Sequence, residues 1–176
     1  MAISAAHTLG LSLDKLACIL PEFHGVRRRL EVRAEAKGIT LVDDFGHHPS
    51  ALRESIAALR ARYPGQRLWA LFEPRSNTTR RGIFQKELAQ SLSAAYCFYI
   101  TEIARKDQLD PITRLDPAKI AADIKAAGKE AYFLADGEAI MRDLLPRLKP
   151  GDVVAVFTNG SFGGLVAKLA EDLKSR

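Results

Sequence analysis

"ITLVDDFGHHPSAL", residues 39–52, decides the fold. Its first four residues are apolar or β-branched, which suits a short buried strand. Its last four begin the stripe Leu52, Ile56, Leu59 and Tyr63 at steps of four, three and four residues. That spacing predicts a helix, and Pro49 suits its first position because proline has no N–H to leave unpaired there. Between strand and helix stand Asp43, Asp44, Gly46, His47 and His48. A strand running directly into a helix is the first half of a βαβ unit, and open parallel sheets bind ligands at the carboxyl ends of their strands. The five residues therefore lie where either a turn or a site belongs.

The pattern extends in both directions. Upstream, Leu30, Val32 and Ala34 alternate with charged residues and Lys37-Gly38 turns the chain, which predicts a β-hairpin and one antiparallel pair. Downstream, "RLWALF", "AYCFYI", "AYFLA" and "DVVAVFT" are strand-like in length and content. Helical stripes separate them: Phe84, Leu88 and Leu92; Ile120 and Ile124 behind an Asp116-Pro117 cap; Ile140, Leu144 and Leu148 behind Asp136; and Leu165, Leu169 and Leu173. Strands alternating with helices predict an α/β fold: right-handed βαβ units, a mostly parallel sheet with an antiparallel edge strand, and helices on both faces. Residues 2–20 read as two short helices broken at Gly10, with Ser12 capping the second, and their apolar residues find no partner surface nearby in sequence.

The chain has 176 residues, a 47% apolar fraction, 27% charged residues and a formal net charge of +5. One ordinary domain, or one domain plus a fragment, is the expectation. The cations are interspersed with acids, so the charge favours anionic small molecules and gives no basic tail or signature for nucleic acid. No apolar run reaches the roughly 18 residues of a membrane span. The start "MAISAAHTLG" lacks the features of a signal peptide, so a cytoplasmic protein is expected. Cys18 and Cys97 lie far apart in apolar surroundings and read as buried free thiols.

Three strand ends are unusually polar. At the first, Asp44 can accept hydrogen bonds from a ribose diol, or can satisfy the turn together with His47. A metal cage is the weakest reading, because Asp, Asp, His and His this close fit a turn poorly as ligands. The second end, "EPRSNTTRRG" at residues 73–82, gathers Arg75, Ser76 and Asn77, and arginine forks pair with carboxylates or phosphates. The third, "TNGSFGGL" at residues 158–165, has glycines that let the backbone approach a ligand, but it matches no phosphate-binding fingerprint. "GVRRRLEV", residues 25–32, puts three arginines at the joint between the first helices and the sheet. It is either a solvated linker or a phosphate contact made as two domains close. No nucleophile triad or paired cysteines stand out, so neither catalytic nor metal-ligating residues are assigned.

"GVRRRLEV", "DDFGHHPSAL", "EPRSNT" and "NGSFGG" together resemble the C-terminal part of the Mur ligases, ATP-dependent amide ligases that extend UDP-N-acetylmuramate. The Asp44, Phe45, Gly46, His47 segment is the family-level mark, and the later motifs are most similar to the branch whose incoming substrate is L-alanyl-γ-D-glutamyl-meso-diaminopimelate. The resemblance implies that residues 1–25 are the last helices of a truncated central ATPase domain and residues 26–176 a Rossmann-like C-terminal domain. ATP and Mg2+ would be the cofactors. The phosphate loop and magnesium ligands would belong to the central domain, so the fragment alone would be inactive. Residue by residue, it implies that Arg29 contacts the nucleotide on closure, Asp44 holds the ribose and His47 completes the nucleotide motif. Arg75 would grip the incoming carboxylate, flanked by Ser76 and Asn77, with Asn159, Gly160 and Ser161 on the same substrate. Where the diaminopimelate-adding relative has Asp-Asn-Pro-Arg, this chain has Phe72, Glu73, Pro74 and Arg75. The implied role is nucleotide clamping and peptide binding in peptidoglycan recycling, with no nucleic-acid or membrane partner. The alternatives are the L-alanine-adding branch, which usually has Pro-His-Arg-Tyr at Pro74–Asn77, and a non-catalytic nucleotide-binding module.

Overall fold

The structure is a computed structural model describing residues 2–23 and 25–175. Its elements are α1 (Ala2–Thr8), α2 (Leu13–Ile19), β1 (Glu31–Ala36), β2 (Ile39–Asp44), α3 (Pro49–Arg62), β3 (Leu68–Phe72), α4 (Gln85–Leu92), β4 (Cys97–Thr101), α5 (Pro117–Ala126), β5 (Glu130–Leu134), α6 (Gly137–Leu144), β6 (Val153–Phe157) and α7 (Leu165–Ser175). One six-stranded sheet has the order β1-β2-β6-β3-β4-β5, in which β1 and β2 pair antiparallel and all other pairs are parallel.

This order follows from crossover handedness. The steps β2 to β3, β3 to β4 and β4 to β5 all move one way across the sheet. Right-handed connections therefore put α3, α4 and α5 on a single face. The step β5 to β6 moves back, so α6 covers the opposite face, where α7 joins it. The core divides accordingly. Leu52, Ile56, Leu88, Leu92, Ile120 and Ile124 pack with Val42, Ala70 and Phe157 on one side. Ile140, Leu144, Leu165, Leu169 and Leu173 pack with Leu41, Leu71 and Val156 on the other. Central strands β3, β4 and β6 are buried throughout, as strands covered on both faces must be.

Local chemistry sets the ends of the helices. Pro49 starts α3, and the side chain of His48 caps it by accepting from Ser50 N. Asp116 Oδ1 accepts from Lys119 N at 2.9 Å to cap α5, and Asp136 Oδ1 accepts from Ala139 N at 2.8 Å to cap α6. Ser12 caps α2 through Lys15 N.

Three expectations need correction. Val32 and Ala34 do not share a face: the register shifts between them, leaving Arg33 as the extra residue of a β-bulge. Val32 therefore packs on the first core cluster and Ala34 on the second. Cys97 is buried, and burial, with Glu130 adding its charge, pushes its thiol up to about 12, but Cys18 is exposed. Phe84 stands in a single 3-10 turn before α4 rather than in the helix. Helices α1 and α2 bury none of their residues, and Leu9, Leu13, Ile19, Phe23 and Val26 are exposed.

Candidate functional site at the switch point

Because β6 inserts between β2 and β3, the carboxyl ends of these three strands lie side by side where the chain reverses its direction across the sheet. The three polar loops read from sequence are thereby brought to one edge. Backbone bonds stitch them together: Thr158 N donates to Asp44 O at 3.1 Å, and Glu73 N donates to Phe157 O at 3.1 Å.

Asp44 is 3% exposed. One carboxylate oxygen accepts from Leu30 N at 2.9 Å and the other from Gly46 N at 2.5 Å. A Cβ on Gly46 would stand 2.5 Å from that second oxygen, so this turn requires glycine. Asp43 is also buried. Its Oδ2 meets Arg28 Nε at 3.2 Å, while its Oδ1 has no partner among the described residues. Burial raises the Asp43 carboxyl above its ordinary range, against the opposing pull of the Arg28 guanidinium. Arg28 also donates to Thr158 O at 2.6 Å and, through its backbone N–H, to Glu31 at 2.8 Å. Arg28 and Leu30 hold left-handed backbone, with φ of 55° and 47°, which costs a non-glycine residue about 1–2 kcal/mol. The two aspartates thus clamp a strained linker against the strand end. Arg29 is exposed, its guanidinium 5.6 Å from the centre of the Phe45 ring.

On the other side of β6, Arg75 lies across Gly160. A Cβ at Gly160 would overlap Cδ and Nε of Arg75. Arg75 pairs with Glu73 at 3.7 Å and keeps 45% of its side chain exposed. The second oxygen of Glu73 accepts from the Thr158 hydroxyl at 2.5 Å, and Thr158 Oγ1 accepts from Gly160 N at 2.9 Å. One chain of bonds therefore fixes the 158–160 turn, the Glu73 carboxylate and the arginine fork relative to one another. The fork faces solvent with a single charged partner among the described residues.

Other predicted positions have local roles. Ser76 Oγ accepts from Thr79 N at 3.0 Å, and Asn77 Oδ1 accepts from Arg80 Nη2 at 2.6 Å, so both shape the arginine-rich turn. His47 Nδ1 lies 3.0 Å from Phe45 O, and its ring meets Phe45 edge-on. Asn159 Oδ1 is buried without a partner among the described residues, beside Gly160, and Ser161 is exposed. Among the described residues, no three His, Cys, Asp or Glu side chains come together as a metal site. Sequence reasoning placed Asp43 where a turn or a site belongs and Arg28, Glu73 and Thr158 inside its polar stretches, but gave none of the four an individual role.

The fold and the edge together define a doubly wound α/β domain with an arginine fork and a glycine turn at its switch point. The description "Mur ligase, glutamate ligase domain" matches residues 28–160, and the chain belongs to the Mur ligase family as its C-terminal domain. It is 36% identical over 181 residues to the UDP-N-acetylmuramate--L-alanyl-gamma-D-glutamyl-meso-2,6-diaminoheptandioate ligase of Escherichia coli, covering 100% of this chain and 36% of that protein. It is 34% identical over 181 residues to the UDP-N-acetylmuramate--L-alanine ligase of Burkholderia mallei, covering 99% of this chain and 38% of that one. A murein peptide ligase from Psychrobacter arcticus superimposes with a TM-score of 0.74 at 29% identity, over 99% of this chain and 36% of its own. The chain thus spans little more than a third of the length of these relatives.

Proposed function

We propose that this domain serves an ATP-dependent ligase that joins UDP-N-acetylmuramate to L-alanyl-γ-D-glutamyl-meso-diaminopimelate. The observation that carries the reading is Arg75 held across Gly160. Two loops that resemble the family's substrate-binding motifs meet there and present a guanidinium fork, whose planar geometry fits a carboxylate. The ligase of that specificity is among the relatives, and so is the L-alanine ligase, which makes the L-alanine-adding reaction the second reading.

ATP and Mg2+ would supply the chemistry of activating the muramoyl carboxylate. This chain's residues bind and orient. Arg75 holds the incoming peptide's carboxylate, and Asn159, Gly160 and Ser161 line its path with Ser76 and Asn77. Positioning the amine in this way converts a bimolecular encounter into an intramolecular one. Arg29, Asp44 and His47 form the nucleotide side. Asp44 already accepts from two backbone N–H groups, and its remaining lone pairs are what a ribose hydroxyl would use. Helices α1 and α2 are the last helices of the central ATPase domain, whose remainder would cover their exposed apolar side chains, and closure about the linker excludes water. The protein works in the cytoplasm, where its nucleotide-linked substrates are made.

Two measurements test the proposal. The chain of residues 1–176 should release no phosphate from ATP with Mg2+, UDP-N-acetylmuramate and tripeptide. The full-length ligase carrying this domain should consume tripeptide with a much higher kcat/KM than L-alanine. A preference for L-alanine would move the assignment to the other branch.

A further inference from the structure

A polar cavity of about 310 Å³ opens at the end of the sheet opposite the switch point, where α3 stops and strands β3 and β4 begin. Arg60, Tyr63, Gln66, Arg67, Tyr96 and Lys129 line it, and no carboxylate does. Asp152, the partner of the lining Arg67, is fully engaged. Its Oδ1 meets Arg67 Nε at 2.7 Å, and its Oδ2 meets Arg67 Nη2 at 2.6 Å and Lys149 N at 2.8 Å. That pair leaves Arg60 and Lys129 uncompensated. Among the described residues, the Arg60 guanidinium donates only to Ala94 O at 2.5 Å, and the Lys129 ammonium has no hydrogen-bond or ion-pair partner. Glu130, next in sequence, turns to Arg147 and the Tyr132 hydroxyl.

One wall is fixed, while Arg60, Gln66 and Lys129 are exposed at the rim. The Arg67 guanidinium is locked by Asp152 and sits 5.2 Å from the Trp69 ring and 5.1 Å from the Tyr96 ring. Tyr63 caps the end of α3 through its N–H to Leu59 O, and its ring lies under Arg62 at 5.4 Å. The Tyr63 hydroxyl is buried with no hydrogen-bond partner among the described residues.

We infer that this cavity is a second anion site, and that its ligand is a phosphate dianion, either free or as a small phosphate monoester. Two uncompensated cations match two negative charges. The Arg60 fork, Lys129 ammonium and Gln66 amide together offer donors in several directions, which suit a tetrahedral phosphate better than a planar carboxylate. The site lies at the opposite end of the strands from Arg75, so occupancy there acts on the domain without competing with the peptide.

The test uses the 176-residue chain and residue-resolved amide NMR. Inorganic phosphate, glycerol 3-phosphate, sodium acetate and sodium chloride are titrated separately at one ionic strength. The expected result is saturable shifts at Gly65, Gln66 and Lys129 with phosphate, glycerol phosphate or both, and none with acetate or chloride. Phosphate shifting these amides alone identifies the free ion, and stronger shifts with glycerol phosphate identify a monoester. Arg60→Gln combined with Lys129→Gln should weaken binding at least about tenfold, from the loss of two charged donors. Equal shifts with chloride or acetate, or unaltered binding by the double variant, would overturn the assignment.

Discussion

At the scale of single residues, the edge is governed by what glycine omits and what burial imposes. Gly160 leaves the space in which the Arg75 side chain lies. Its backbone is not left-handed, so Gly160→Ala is compatible with the fold. Arg75, being half exposed, should swing aside rather than strain the core. Urea unfolding should therefore move by no more than about 0.5 kcal/mol. In the full-length ligase, kcat/KM for tripeptide should fall while the KM for ATP stays put. Asp43 makes a second prediction. Its folded pKa is raised, mainly by burial, so the native state holds its proton more tightly than the unfolded chain does. Its contribution therefore disfavours folding progressively as pH rises from the unfolded carboxylate value, about 3.9, through the raised native one, and levels off above it. Asp43→Asn should flatten that decline in a series of denaturation curves from pH 3 upward; an unaltered profile would mean that Arg28 fully compensates the buried charge. These residues were only partly legible beforehand. Asp44 and Arg75 stand out in one dimension as polar residues after apolar runs. The bond from Glu73 to Thr158 joins positions on different strands, and nothing in the spacing of a single chain reveals it.

At the scale of elements, helix limits were readable because their chemistry is local. Asp116 and Pro117 announce the start of α5, and Asp116 does accept from Lys119 N. Asp116→Ala should cost about 1 kcal/mol in urea unfolding, the usual loss for an N-cap aspartate, and Asp116→Asn much less. The strand order was not readable, since periodicity marks strands and not their neighbours. Only the handedness of crossovers, together with the return of β6 between β2 and β3, explains why α6 and α7 cover the face left bare by α3, α4 and α5. The bulge at Arg33 escaped the alternation argument for a related reason. A single extra residue reverses the faces of Val32 and Ala34 without altering the polar–apolar pattern.

At the scale of the molecule, the sheet presents two ends with different chemistry. The carboxyl end gathers a strained linker, two buried aspartates and an exposed arginine fork. Helices α1 and α2 leave apolar side chains uncovered before that linker. On this account the domain's task is to bring one end of an incoming peptide to a reaction completed by another domain, and Arg75 is its point of grip. The most direct measurement is steady-state kinetics of the full-length ligase, varying tripeptide at saturating ATP and UDP-N-acetylmuramate, and then varying ATP. The account predicts that Arg75→Ala lowers kcat/KM for tripeptide by about 10- to 150-fold, the worth of one charged hydrogen bond, with the KM for ATP nearly unaltered. Arg75→Lys should fall between the alanine variant and the parent, because it keeps the charge and loses the fork. Tripeptide kinetics unaltered in Arg75→Ala, or equal losses for tripeptide and ATP, would contradict it.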